Sequence, residues 1–449
     1  MIVAGAGLAG LSAAFELSNL GHDVTVLEAS TTPGGRVHTL RSRFADDLHA
    51  DAGAMFLPAI HPLPLAYAKK FSLPLQQVAP EEPNHLFFVA GQRVVVGANK
   101  PVEWPAALNL KPDEVGLSSA QLAQKYGSPL LEGISNPDSP TWPPEELRHL
   151  DGITFGDLLR SRGASQGAVT LLGLNYFNLW GDGVESYSSL FELRDEALER
   201  GNTASYLIVG GNDQLPRAFA AALKDRIWYG SEVRSISQDA SGVQVVATRG
   251  ADQKTWSADY LVCAVPFAVV QRINTSPPFS LPKQQAIREL PYTSVIRIFL
   301  QMREKFWLQE GLSGTVFTDL PIMSVYPVFN QDGQRGILSC YVAGPNARMI
   351  SAMGEHARIE FTLSQMEKFY PQVRDHFESG ITVCWTSDPR TCGGYVYCRP
   401  GQVFAFRDTL SAPEGRVHFA GDHTSAWPGW MQGALDSGCR CANEIAKAG

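Results

Sequence analysis

Long apolar runs, blocks of positive charge and paired cysteines are all scarce in this 449-residue chain. No apolar stretch approaches the roughly 18 residues of a membrane-spanning helix, so no membrane span is expected. Lys and Arg total 37 against 45 Asp and Glu, a net charge of −8. Without a run of Lys or Arg, that balance disfavours a nucleic-acid or anionic-membrane partner. The seven cysteines, Cys263, Cys340, Cys384, Cys392, Cys398, Cys439 and Cys441, are odd in number and form no CxxC pair. Reduced thiols are expected, with no disulfide framework and no metal site. There is no internal repeat or low-complexity tract. No leader pattern precedes the first glycines, which makes the cytoplasm the expected location. The first strand begins almost at Met1, a start compatible with missing native residues. The composition is that of an ordinary globular protein, 44% hydrophobic and 10% aromatic. The length suggests two or three domains.

Glycine is abundant where the chain begins. Ile2-Val3-Ala4 reads as the end of a buried strand, and Gly5-Ala6-Gly7-Leu8-Ala9-Gly10 then fits G-x-G-x-x-G. The first glycine makes the turn, the second admits a pyrophosphate, and the third packs helix on strand. Helical periodicity runs from Leu11 to Leu20 and stops at Gly21. The free amides at that helix start attract phosphate. Asp23 to Leu27 reads as the second strand, followed by Glu28 and Ala29. A carboxylate there accepts ribose hydroxyls and disfavours a 2′-phosphate. In this strand–turn–helix–strand–acid setting, the pattern predicts a dinucleotide cofactor.

Gly34-Gly35-Arg36 follows, and then Asp51-Ala52-Gly53-Ala54-Met55. Near the other end stand Phe419-Ala420-Gly421-Asp422 and Pro428-Gly429-Trp430-Met431-Gln432-Gly433-Ala434. With these blocks the sequence resembles the flavin amine oxidase family: monoamine, polyamine and L-amino-acid oxidases. The resemblance implies noncovalent FAD as cofactor, with NAD(P) excluded. It implies that Arg36 meets the dinucleotide phosphates and that Gly53, Ala54 and Met55 pass the flavin ring. It implies that Asp422 contacts the ribityl chain. The helix after Gly429-Trp430, through Met431 and Gln432, points its positive end at the flavin, where charge grows on reduction. Gly210-Gly211-Asn212-Asp213-Gln214-Leu215-Pro216 resembles another shared segment, and the backbone at Val233 is placed on the adenine.

The fold class implied is α/β: a Rossmann-like FAD-binding domain of the GR2 type, a discontinuous α+β substrate domain and a helical insertion. The expected division is 1–75, 205–275 and 391–449 for the FAD-binding domain. Residues 76–204, proline-rich and then helical, with LGLNYFNLWG, and residues 276–390, an antiparallel sheet, form the substrate domain. Ile227 to Ile236 reads as one strand.

By the same resemblance the substrate lies between two aromatics, Trp430 and Tyr395, the latter directly after Gly393-Gly394. Monoamine oxidases carry a flavin-linked cysteine at the Tyr395 position, hence the noncovalent expectation. Tyr341 aligns with a tyrosine that L-amino-acid oxidases use for the substrate carboxylate. Their arginine after the G-x-M turn is replaced here by Phe56, which is expected to disfavour a free carboxylate. Arg297 occupies a position where most relatives have lysine, and whether it contacts substrate, replaces a water or pairs with an acid is left open. The reaction expected is hydride transfer from an amine α-carbon to flavin, giving an imine, with O2 as acceptor and hydrogen peroxide as product. The alternatives are an L-amino-acid oxidase with an atypical carboxylate site, a tailoring oxidase of a biosynthetic pathway, and a flavin-binding protein without turnover. Monomer or homodimer is left open.

Overall fold

The apolar triplets at Ile2–Ala4, Leu261–Cys263 and Val417–Phe419 are buried throughout, which requires both faces of their sheet to be covered. In the computed structural model, which describes residues 1–78, 84–97, 100–175, 177–329 and 333–448, they form the centre and one edge of a five-stranded parallel sheet. Its order is Ile227–Tyr229, Thr25–Glu28, Ile2–Ala4, Leu261–Cys263, Val417–Phe419. Distant parts of the chain are thus neighbours in the nucleotide-type sheet. The helices Leu8–Asn19 and Met431–Ala448 pack together beside it, with Ser12 Oγ donating to Leu435 O at 3.3 Å.

The first helix starts at Leu8 rather than Leu11, because Gly7 already takes the extended N-cap conformation. The strand expected from Ile227 to Ile236 is broken. Gly230, at φ +68°, turns the chain, so Ile227–Tyr229 joins the parallel sheet and Glu232–Gln238 a separate four-stranded one. The turn closes over the end of the second strand: Gly230 N donates to Ser30 O and Ser231 N to Glu28 O.

A seven-stranded, mostly antiparallel sheet makes the second layer system. Its centre is Val295–Met302, buried at every residue, between Phe377–Cys384 and Gly336–Ala343. The proline-rich stretch after residue 76 contributes a hairpin, His85–Val89 and Gln92–Val96, to one edge. HLFFV and QRVVV carry the strand signal, and Ala90-Gly91, both at positive φ, make the tight turn. Among the helices of the stretch before residue 204, Phe155–Ser161 packs on both Gln166–Asn175 and Ser189–Leu198. Tyr176 of LGLNYFNLWG lies outside the described residues. Among the described residues no helix is long and apolar enough to cross a membrane.

Candidate functional site

The glycines of the first turn are there for different reasons. A Cβ on Gly10 would lie 1.9 Å from Gly5 O, so only glycine lets the helix sit against the strand end. Gly7 is different. Its backbone, φ −74° and ψ 173°, suits any residue, and nothing in the protein lies within 4 Å of the place its Cβ would take. Protein packing therefore requires Gly10, whereas the space at Gly7 is what a pyrophosphate needs. Leu8 and Ala9 are buried in the first helical turn. Glu28, 9% exposed, accepts from Ala6 N and Ser30 N at 2.6 Å each. Burial raises its carboxyl above the ordinary range, against the pull of these two amides. Ala29 is half-buried beside it, and Val233 follows in the next strand at a bulge opposite Ala247. These residues fit a dinucleotide. Gly7→Val should leave the melting temperature of the flavin-free protein within about 2 °C of wild type. The same variant should retain less than a tenth of the bound flavin, measured by absorbance ratio.

Arg36 ties four segments together. Gly35, just before it, lies against Gly7, and Gly7 bridges Gly34. The guanidinium donates to Asp422 Oδ1 at 2.5 Å and to Gly394 O at 2.8 Å. Asp422 Oδ2 also accepts from Gly429 N at 2.9 Å, and Gly421 N donates to Ser437 Oγ at 2.8 Å. Burial pulls the Asp422 carboxyl up, but Arg36, His423 and the Gly429 amide together outweigh it and leave Asp422 below its ordinary range. The two residues expected at the phosphates and the ribityl chain therefore pair with each other.

The 51–55 turn is held from the other side. A Cβ on Gly53 would lie 1.8 Å from Arg36 O, and Ala54 N donates to that same oxygen at 3.2 Å. Asn212 Nδ2 donates to Met55 O at 2.6 Å and to Ala54 O at 3.2 Å. Asp51 Oδ1 accepts from Thr39 Oγ1 at 2.5 Å and Asn212 N at 3.1 Å, and burial lifts the Asp51 carboxyl to about 6. Asn212 is a site-shaping residue that sequence reading did not single out, although its segment was noted.

The aromatic positions converge. Gly429 stands against Tyr395 and Trp180, and Tyr395 packs edge-on to Trp180 at 4.9 Å. Tyr341 OH donates to Tyr395 OH at 3.1 Å, and Tyr395 OH to Leu179 O at 2.6 Å. Trp430 receives His61 edge-on at 5.0 Å, and its Nε1 donates to Asp195 Oδ1 at 3.3 Å. His61 Nε2 lies 2.9 Å from Glu199 Oε1. Burial and then Glu199 raise Asp195 to about 7. Trp180, His61 and Asp195 were not anticipated. One signal was available: Glu192, Asp195, Glu196 and Glu199 share one helical face at i, i+3, i+4 and i+7. Met431 is buried at the start of the last helix, and Gln432 Oε1 accepts from Leu63 N at 3.0 Å. Phe56 packs its ring on Phe329 at 5.7 Å.

Arg297 is 1% exposed on the central strand of the large sheet. Its Nη2 donates to Ser339 Oγ at 2.7 Å and to Met55 Sδ at 3.1 Å. Its Cζ lies 4.7 Å from the Tyr341 ring, directly across the strand pair. Nε and Nη1 have no partner, and Arg297 forms no ion pair with a described residue. Among the described residues no cluster of His, Cys, Asp or Glu is arranged to hold a metal ion.

Comparison with known proteins places this site in context. The family model for flavin containing amine oxidoreductases matches residues 8–446. The Bacillus subtilis protein YobN is 35% identical, covering 99% of this chain and 94% of its own. The L-amino-acid oxidase of Gloydius halys is 30% identical, covering 100% of this chain and 89% of its own. In structure, a putrescine oxidase variant superposes with a TM-score of 0.86 at 21% identity, over 100% of this chain and 98% of the other. Cyclohexylamine oxidase from Brevibacterium oxydans superposes with a TM-score of 0.84 at 23% identity, over the same shares.

Proposed function

The chain belongs to the flavin-containing amine oxidoreductases, and from that premise we propose that it oxidises the C–N bond of a small-molecule amine with noncovalently held FAD. The observation that carries this reading is the convergence on Asp422. Arg36 and the Gly429 amide meet at this carboxylate, and Arg36 also donates to Gly394 O beside Tyr395, so three separate segments are tied together around one ion pair. Bound FAD would supply the acceptor for the hydride of the amine α-carbon, giving an imine for water to hydrolyse, and the reduced flavin would pass its two electrons to dioxygen, giving hydrogen peroxide.

The chain's own residues do the rest. Glu28 and the glycine turn hold the adenosine and diphosphate. Asn212 and Arg36 fix the backbone of Gly53 to Met55. The start of helix Met431–Ala448 directs its positive end toward the developing charge. Trp430 and Tyr395 position the amine between apolar faces and exclude water. Asp195, at about 7 beside Trp430, is suited to accept the proton of an incoming ammonium. Tyr395 stands where a flavin-linked cysteine would be. Cys398 is buried and its thiol pushed up to about 12, so it stays protonated and unreactive.

The test is anaerobic. Phenethylamine or L-phenylalanine added to the yellow protein should bleach the flavin absorbance. Air should restore it with one peroxide per turnover. Acid precipitation should leave the colour in the supernatant. Absence of bleaching across a panel of amines and amino acids would remove the oxidase reading, and colour in the pellet the noncovalent one.

A further inference from the structure

Charged groups are almost never buried alone, since an unpaired buried ion carries a desolvation cost of several kcal/mol. Arg297 is an exception. A guanidinium has five N–H donors, no acceptor, and stays charged in proteins. Here two contacts engage only Nη2, while Nε and Nη1 are unpartnered. Asp51 acts on it only through space, and the Asp51 Oδ1 is already occupied by Thr39 and Asn212. Tyr341 and Phe299 lend it their ring faces. No carboxylate among the described residues pairs with it.

Of the two contacts, the one to Met55 is easily exchanged. A thioether sulfur is a weak acceptor on an unbranched, flexible side chain. Met55 is half-buried at the end of the 51–55 turn, and its sulfur lies directly against the guanidinium. A carboxylate taking the place of Sδ would receive charge-assisted bonds that the sulfur does not make. Tyr341 lies directly across the strand pair from Arg297 and reaches Tyr395 through its hydroxyl. An anion on Arg297 is thereby within one residue of the aromatic chamber.

We propose that Arg297 is the docking site for the substrate's carboxylate, exposed when Met55 swings aside, so that the substrate is an α-amino acid rather than a simple amine. This rests on the C–N oxidation reading above. It revises the expectation attached to Phe56. Phe56 and Arg297 come from different segments that flank Met55. The acid group goes to Arg297, and Phe56 with Phe329 forms an apolar wall for the amino-acid side chain.

The experiment uses the flavin-loaded protein and hydrocinnamate, which keeps the carboxylate and ring of phenylalanine but has no amine. Hydrocinnamate should bind the oxidised wild type and perturb its flavin absorbance. Arg297→Met should weaken that binding by about tenfold or more, and Arg297→Lys by a smaller factor, because lysine keeps the charge without the planar fork. The kcat/KM ratio of L-phenylalanine to phenethylamine should also fall about tenfold in Arg297→Met. Unchanged hydrocinnamate affinity in Arg297→Met would overturn the proposal. So would an equal loss for both substrates, since the cation would then serve the flavin. Should Arg297→Met not fold, Arg297→Lys carries the test: a threefold loss of hydrocinnamate affinity supports the site and no loss rejects it. If neither substrate bleaches wild type, the oxidation reading fails, and the hydrocinnamate titration still decides Arg297.

Discussion

Arg36→Ala should yield a protein nearly free of flavin. Arg36 is about a quarter exposed and Asp422 is 5% exposed, and they meet at 2.5 Å. Removing the guanidinium leaves Asp422 buried with the Gly429 amide as its remaining polar contact among those described. Breaking a buried pair costs about 3–5 kcal/mol, and the partial exposure of Arg36 places this pair near the lower end. The tie to Gly394 O is lost as well, loosening Tyr395 against the turn. That cost falls on the stability of the fold, and flavin retention falls with it because the segments tied by Arg36 loosen. Adding Asp422→Asn to Arg36→Ala should recover thermal stability, because the unpaired charge is gone. The pH dependence has a definite sign. In wild type Asp422 sits below its ordinary value of 3.8, so its contribution is full above that pH and is lost as pH falls. Without Arg36, burial pushes it above that value instead. The deficit of Arg36→Ala relative to wild type should therefore be largest near neutrality, shrink as pH falls through the raised carboxyl value of the variant, and go on shrinking below about pH 4. A melting curve at several pH values, with a flavin titration, checks both. A deficit that stays constant from pH 7 to pH 3 would show that the pair is not what the substitution broke.

Glu28→Ala is expected to be the second largest loss. Each oxygen of Glu28 holds a backbone amide at 2.6 Å, Ala6 in the glycine turn and Ser30 after the strand. Two charge-assisted bonds are worth about 1.5–3 kcal/mol each, but the buried carboxylate carries a desolvation cost that alanine relieves. A net destabilisation of about 2 kcal/mol is the expected outcome, with weaker FAD binding because the ribose hydroxyls also lose their acceptor. Glu28→Gln, which keeps one acceptor oxygen, should fall between alanine and wild type. Fluorescence titration of the apoprotein with FAD measures the series. An unchanged dissociation constant in Glu28→Ala would remove Glu28 from the nucleotide site.

Much of this was legible in the linear order of residues, for a physical reason. Phosphate binding needs a strand, a tight turn and a helix start in immediate succession, so the expectation placed on Gly5, Gly7, Gly10 and Glu28 rests on one contiguous stretch, and that stretch folds as strand, turn and helix. The same holds for Gly34-Gly35-Arg36 and for the segment from Gly421 to Ala434. The hairpin at 85–96 was equally local, with alternating residues around Ala90-Gly91, yet the prolines nearby obscured it. The break at Gly230 was hidden because one apolar run feeds two sheets.

What the sequence alone determined is the FAD-binding fold class, the amine oxidase resemblance and the residue types at the turns, since each depends on neighbours a few positions away. What only the tertiary structure decided is who meets whom. Asp422 lies 386 positions from Arg36 and yet accepts its guanidinium. Asn212 fixes the backbone at Met55, and Asp195 takes the indole of Trp430. Arg297 reads in sequence as a cation in a strand, with several partners open to it. Only the burial of that strand and the placing of Tyr341, Ser339 and Met55 around it show a charge left without a partner. Partnership in a folded chain follows from sheet order and from which side chains exclude water. Both arise from long-range pairing that no local spacing encodes.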